Sequence, residues 1–187
     1  MIDKRPAARF LGPMSTNDWQ AEFRKVYDRG VAAWNGGRRD PQTMFDGRDS
    51  AFLSSIGCTA QELFDFVDDF LNYGEPDFAT TLAVTTIQRD YFLNIMGGTR
   101  PKRVVPSDSL PAKAAELEGI AWLPRIIAKA RLKLRGELPT DLMYGCGGDR
   151  PFLRKMNLDL PRFLKLVWEC GDDTRRIVEA VKQSARI

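Results

Sequence analysis

The chain has 187 residues, of which 43% are hydrophobic, and it carries a net charge of +3 from 28 basic and 25 acidic side chains. A chain of this length and composition is able to bury a core, and no stretch of it approaches the roughly 20 apolar residues that a membrane span needs. Histidine is absent, which excludes Ser-His-Asp and Cys-His nucleophile systems, histidine-ligated metals and histidine general bases within one chain.

The three cysteines, Cys58, Cys146 and Cys170, include no Cys-x-x-Cys pair. An odd number of unpaired thiols is typical of a reducing compartment, so we expect a cytoplasmic protein without a metal site. No Gly-Lys-Ser/Thr loop or dinucleotide fingerprint is present, so we expect no cofactor. Residues 1–100 carry 11 basic and 14 acidic side chains, and residues 101–187 carry 17 and 11. This excess is too weak to predict a nucleic-acid partner, and we expect no membrane partner.

The first half begins with residues 1–14, which lack a continuous apolar region and are expected to form a flexible tail. Apolar residues at helical spacing then predict a helix over residues 19–35. After an irregular stretch, Asp49 is expected to cap a short helix. Thr59 and the glutamate three residues later form a capping box that predicts a third helix. A fourth helix is predicted over about residues 77–94.

A linker is predicted next, over residues 97–118, because this stretch is rich in glycine and proline. A short helix at residues 111–118 is expected to interrupt it. The second half is predicted to contain four helices. A long helix covers residues 122–135, a short helix begins at Asp149, a third helix begins at Asp159, and a fourth covers residues 174–186.

Residues 23–70 align without a gap on residues 123–170, at a constant offset of one hundred. Six pairs are identical: Gly36/Gly136, Gly47/Gly147, Asp49/Asp149, Phe52/Phe152, Leu53/Leu153 and Val67/Val167. Eight further pairs keep their apolar class: Phe23/Leu123, Val26/Ile126, Tyr27/Ile127, Trp34/Leu134, Ile56/Met156, Leu63/Phe163, Phe64/Leu164 and Phe66/Leu166.

The alignment predicts an all-α fold of two tandem helical repeats, residues 15–96 and 119–187. Neither repeat is expected to bury its apolar faces alone, so we expect them to pack as one domain with pseudo-twofold symmetry and almost no strand.

Charged residues also match at this offset: Lys25 with Arg125, Arg29 with Lys129, and Asp49 with Asp149. Basic residues four apart share one helix face. That face lies away from the apolar stripe, so these basic groups are predicted at the core boundary or in solvent. Three interpretations remain open, namely a solvated face with two helix caps, an anion-binding groove lined from both halves, and salt bridges that tie each loop to its helix.

The loop Met143-Tyr144-Gly145-Cys146-Gly147-Gly148-Asp149-Arg150 gathers a phenol, a thiol, a carboxylate and a guanidinium within seven residues. Such groups are able to act as acid, nucleophile and anchor. The alternative is a glycine-rich turn that packs a small cysteine. On the predicted third helix, Asp65 and Asp69 share one face, where they are able to pair with basic residues of the other half.

The sequence over about residues 106–183 resembles a bacterial family known as domain of unknown function 5069. The resemblance is carried by Trp122-Leu123-Pro124-Arg125, Lys129-Ala130-Arg131, Gly136, Tyr144, Cys146 and Asp149-Arg150. The family name implies no activity, but the resemblance marks Arg125, Lys129, Tyr144, Cys146 and Asp149 as positions of interest.

Three functions remain open. The first is a cytoplasmic helical protein that binds a small anionic molecule between its halves through Arg125, Lys129 and Arg150. The second is a cofactor-free enzyme that works without histidine, such as a lyase, isomerase or cyclase. It would use Tyr144 or Asp149 as acid or base and Cys146 as nucleophile, in a pocket between the repeats. The third is a structural module that forms a homodimer.

Overall fold

The computed structural model describes residues 16–103 and 105–186, with side chains described from residue 18 onward. The tail predicted at residues 1–14 lies outside the described residues. The first half contains five helices: α1 (Thr16–Asn35), α2 (Pro41–Met44), α3 (Gly47–Ser55), α4 (Ala60–Tyr73) and α5 (Phe78–Asn94). The second half contains α6 (Leu123–Arg135), α7 (Asp149–Lys155), α8 (Leu160–Cys170) and α9 (Thr174–Ala185). The prediction of a mostly helical protein is confirmed.

The connection between the halves differs from its prediction. The short helix expected at residues 111–118 is wrong, because a 3-10 turn lies before this stretch, at Ser107–Ser109, and the first strand of a short antiparallel ribbon lies at its end. The ribbon pairs β1 (Glu116–Leu117) with β2 (Ile120–Ala121), and two residues, Glu118 and Gly119, form the turn with positive φ. Such a tight two-residue turn fits the twist of paired strands. The prediction of almost no strand is therefore right in amount but misses this ribbon, which leads directly into α6.

The helix boundaries follow from capping residues. Thr59 and Glu62 form the predicted capping box at the start of α4, with Thr59 N donating to Glu62 Oε2 at 2.8 Å. Asp159 caps α8 by accepting a hydrogen bond from Arg162 N at 2.8 Å. Gly74 ends α4 in the left-handed conformation, as glycine does most easily.

The predicted cap at Asp49 is wrong, because Asp46 occupies that position. Asp46 Oδ1 accepts hydrogen bonds from the backbone N–H groups of Arg48 and Asp49, at 2.7 and 2.9 Å. In the second half, Gly148 stands at the cap position and Asp149 is the first helical residue. Asp49 and Asp149 are both buried. Because neither of them caps its helix, their side chains are available for a different role.

The core consists of two hydrophobic clusters. One belongs to the first half and is built mainly from α1, α3 and α4. The other is built mainly from the second half, but Phe66 of α4 and Val84 of α5 also belong to it. Helix α5 packs against both α8 and α6. The halves therefore share apolar surface, which fixes α4 next to α6.

A buried polar network also joins the halves. Lys133 of α6 is 2% exposed and donates to Glu62 Oε1 of α4 at 2.9 Å. Gln88 of α5 donates to the same oxygen at 3.0 Å. Because burying a charge without a partner is costly, this network favours one register of α4 against α6.

Candidate functional site

A cavity of about 420 Å³ lies between α4, the first part of α6 and the segment from residue 140 to 148. Its volume falls within the range of small-molecule sites, which is about 300–1,000 Å³. One wall belongs to the first half of the chain and the other walls to the second. The residues that line it are Asp65, Asp68, Asp69, Lys113, Trp122, Arg125, Lys129, Thr140, Asp141, Leu142, Met143, Cys146 and Gly148.

The α6 wall presents Arg125 and Lys129, which are four residues apart and so share one helix face, together with Trp122, the residue just before the helix. Arg125 is half-buried, and its Nη1 donates to the backbone oxygen of Pro111 at 2.7 Å. Among the described residues, no carboxylate lies within ion-pair distance of Arg125. Its positive charge therefore has no carboxylate partner in the described part of the chain.

Asp149 lies behind this wall and is fully buried. Its Oδ2 accepts hydrogen bonds from Lys129 Nζ and from Gly145 N, the latter at 2.9 Å, and its Oδ1 accepts one from Trp122 Nε1 at 2.9 Å. Lys129, 2% exposed, also donates to Cys146 Sγ at 3.3 Å. These contacts tie the loop to α6. The interpretation as a salt bridge between loop and helix is confirmed.

The first half contains the matching ion pair at the same offset. Arg29 Nη2 lies 2.5 Å from Asp49 Oδ1, but the Arg29 side chain is 47% exposed. The prediction that the basic residues lie at the boundary or in solvent is therefore right for Arg29 and wrong for Lys129. The difference arises because α6 packs against both α5 and α8 and is also covered by the 140–148 segment.

Three of the predicted site residues do not line the cavity, namely Asp149, Tyr144 and Arg150. Tyr144 is 1% exposed, and its hydroxyl donates to the backbone oxygen of Leu160 at 2.8 Å. Burial raises the pKa of this phenol well above its ordinary value. Arg150 is 6% exposed and donates from Nη1 to Asp69 Oδ2 at 2.6 Å and to Gly145 O at 2.7 Å. In this structure the side chains of Tyr144 and Arg150 therefore bind other parts of the protein.

Of the three candidate catalytic side chains, Cys146 is the one that lines the cavity, where it is half-buried. Asp149 lies just behind it with both carboxylate oxygens occupied. The structure thus brings Cys146, Asp149 and Lys129 into contact, places Arg125 on the same cavity wall as Lys129, and leaves Tyr144 outside the cavity.

The α4 wall is acidic. Asp69 pairs with Arg150 across the two halves, as predicted, and Asp68 Oδ1 accepts from Trp34 Nε1 at 2.8 Å. Asp65 accepts a hydrogen bond from Gln61 Nε2 at 2.7 Å but has no basic residue within ion-pair distance among the described residues. Burial raises the pKa of Asp65 to about 6. The prediction that Asp69 pairs with a basic residue of the other half is confirmed, whereas Asp65 has no such pair among the described residues.

Within the described residues, no group of three or more cysteine, aspartate and glutamate side chains is placed to hold a metal ion. Sequence reasoning missed Trp122 as part of the site. Helical spacing did not predict its place in the site, because Trp122 precedes α6 and has a left-handed backbone conformation with φ of 72°.

The fold and the site define a helical protein with a charged cavity between its two halves. Residues 109–187 match the family model described as Domain of unknown function (DUF5069). This match spans the second half of the chain, and it confirms the resemblance predicted over residues 106–183. No curated protein and no solved structure matches the chain at a significant level. Among the described residues, no helix has the length and hydropathy needed to cross a membrane.

Proposed function

We propose that this protein binds a small molecule with an anionic group in the cavity between α4 and α6, and that Arg125 holds that group. The observation that carries the proposal is the uncompensated guanidinium of Arg125 at the cavity wall. A guanidinium offers several N–H donors in a fixed plane, which suits a carboxylate or a phosphate.

The other buried basic residues near the cavity support this choice by contrast. Lys129 pairs with Asp149, Lys133 with Glu62, and Arg150 with Asp69. Each of these charges already has a carboxylate in direct contact. We therefore assign the anion to Arg125 and give Lys129 and Arg150 the role of holding the walls of the cavity in place.

The position of Arg125 in its helix adds to the attraction for an anion. Arg125 lies in the first turn of α6, and no side chain caps that turn. The N-terminal end of a helix carries a partial positive charge from its backbone amides. The guanidinium and the helix end therefore contribute the same sign of charge to this part of the protein.

We further infer that the cavity lies between two tandem repeats, residues 15–96 and 119–187, that pack with pseudo-twofold symmetry. The equivalent ion pairs Arg29–Asp49 and Lys129–Asp149, at the same offset of one hundred, support this inference. We place the protein in the cytoplasm, because its cysteines Cys58, Cys146 and Cys170 are all free thiols.

The test compares Arg125→Gln with Arg135→Gln at constant ionic strength. Both changes remove one positive charge from α6, but Arg135 pairs with Glu137 outside the cavity and is 42% exposed. Acetate, succinate, inorganic phosphate and glycerol phosphate are titrated while thermal unfolding is followed. A ligand at 100 times its Kd stabilises the folded state by about 2.7 kcal/mol.

At least one of these anions is expected to raise the Tm of the wild type and of Arg135→Gln, and to leave Arg125→Gln unchanged. An equal shift in both variants would show that the anion binds elsewhere. No shift with any of the four anions would contradict the proposal.

A further inference from the structure

The cavity contains a second charge without a partner, and it is negative. Asp65 lies on the α4 wall and makes a hydrogen bond to Gln61, but no basic residue lies within ion-pair distance among the described residues. Of its neighbours, Asp69 pairs with Arg150, and Asp68 accepts a hydrogen bond from the neutral indole of Trp34 in α1. Among the described residues, the half-buried charges of the cavity without a charged partner are therefore Arg125, Asp68 and Asp65. Of the two carboxylates, Asp68 is held by another helix, whereas the hydrogen bond of Asp65 comes from its own helix.

Asp65 and Arg125 stand on different walls. Asp65 belongs to α4 in the first half, and Arg125 belongs to α6 in the second half. Elsewhere the opposite charges of the two halves meet directly, as in the contact between Lys133 and Glu62. Asp65 and Arg125 form no such contact with each other, and a volume of about 420 Å³ remains open between their walls.

From this arrangement we propose that the ligand is a zwitterion, with an amine that binds Asp65 and a carboxylate or phosphate that binds Arg125. The inference rests on the proposed function, because it keeps Arg125 as the ligand of the anionic group. Partly desolvated charges are expensive to leave unpaired, and a single molecule with both charges neutralises both walls.

The rim of the cavity carries the same two signs. Lys113 and Asp141 are exposed residues that line it. Apolar side chains also line the cavity, namely Trp122, Leu142 and Met143. A short aliphatic spacer between amine and anion therefore matches this apolar lining, and the charged ends match Asp65 and Arg125.

The test measures the Kd of matched probes by titration calorimetry. The amino acids β-alanine, 4-aminobutyrate and 6-aminohexanoate are compared with propionate, butyrate and hexanoate and with the corresponding alkylamines. Phosphoethanolamine and ethyl phosphate extend the comparison to phosphate. Calorimetry is preferred to melting temperature, because a change at Asp65 also alters the stability of the free protein.

At least one amino-bearing anion is expected to bind the wild type about tenfold or more tightly than its partner without the amine. Asp65→Asn should remove this difference and leave the weaker anion binding unchanged. Asp141→Asn removes the same charge from an exposed rim position and should keep the preference.

The outcomes separate the two proposals. Equal affinity for amino-bearing and plain anions, both lost in Arg125→Gln, would overturn the zwitterion and retain the anion site. An amine preference that persists in Asp65→Asn would also overturn it. Binding that is unchanged in Arg125→Gln, or no binding by any probe, would overturn the anion site and the zwitterion together.

Discussion

Lys129 and Asp149 form an ion pair that is shielded from solvent, with side chains that are 2% and 0% exposed. Two further donors, Trp122 Nε1 and Gly145 N, complete the hydrogen bonding of the carboxylate. An ion pair at this depth adds little net stability relative to apolar residues, but the loss of one partner leaves a buried charge uncompensated. Because breaking the ion pair is costly, the pair holds the loop at the cavity wall.

Asp149→Asn is expected to destabilise the protein by about 3–5 kcal/mol, because it leaves the buried ammonium of Lys129 without its counter-charge. Urea unfolding measures this change. The matched control is Asp49→Asn, which breaks the equivalent contact to Arg29. Since Arg29 is 47% exposed and also lies 3.4 Å from Glu22, the control should lose only about 1 kcal/mol. Equal losses would contradict the role of burial.

Asp65→Asn is expected to stabilise the protein at neutral pH but not at acidic pH. The folded-state pKa of Asp65 is about 6, raised by burial from 3.8. In the wild type, the contribution of Asp65 to the free energy of unfolding falls as the pH rises from about 4 to about 6. The reason is that the carboxyl group loses its proton at a lower pH in the unfolded chain than in the folded protein. Asparagine carries no such charge. The free energy of unfolding of Asp65→Asn should therefore exceed that of the wild type by at most about 3 kcal/mol above pH 6, and the difference should vanish below pH 4.

Unfolding curves at pH 4, 5, 6 and 7.5 check this dependence. Glu62 and Asp69 raise the pKa of Asp65 and Lys133 lowers it, so these residues are kept intact. Asp141→Asn is the control, because Asp141 is exposed and should show no comparable gain. A gain in Asp65→Asn that is the same at all four pH values would exclude titration of Asp65 as its cause.

Tyr144→Phe is expected to cost about 1 kcal/mol of stability, since it removes the hydrogen bond from the hydroxyl to Leu160 O in a buried site. Ligand affinity should remain within a factor of two of wild type, because the side chain does not line the cavity. Chemical denaturation and calorimetry measure the two quantities. A large loss of binding with normal stability would restore the phenol to the functional site.

Thiol labelling is expected to distinguish the three cysteines. Cys58 is 1% exposed and burial raises its pKa to about 12, and burial also raises the pKa of Cys170. Cys146 is half-buried at the cavity wall. Iodoacetamide should therefore modify Cys146 in the native protein roughly tenfold or more faster than the other two. Peptide mass spectrometry identifies the sites. Equal rates for all three in the native state would contradict the burial pattern.

The sequence predicted most of the helices, because their signals are local. Thr59 with Glu62, and Asp159 before α8, mark helix starts that depend on a few neighbouring residues. The repeat offset also matched Asp149 with Asp49 and Lys129 with Arg29. It left open whether the aspartates cap helices or form salt bridges with these basic residues, and the folded structure has the salt bridges, while Asp46 supplies the cap in the first half.

The site was predictable in part. Arg125 and Cys146 were chosen from the sequence and line one cavity, whereas Arg150 and Tyr144 were chosen by the same reasoning and are buried away from it. Sequence spacing gives the helix face of a residue but not the element that covers this face. For Arg150 the covering partner is Asp69, which is 81 residues away in the chain.

The sequence by itself determined the helical class, the main capping residues and the absence of histidine chemistry, because these depend on composition and on contacts between near neighbours. The tertiary structure decided which charges are neutralised. Lys129, Lys133 and Arg150 each pair with a carboxylate, whereas Arg125 and Asp65 have no oppositely charged partner among the described residues, because pairing depends on how α4, α6 and the 140–148 segment pack. The electrostatic character of the cavity is therefore a property of the folded chain, since packing brings distant residues within the few ångströms over which ion pairs form.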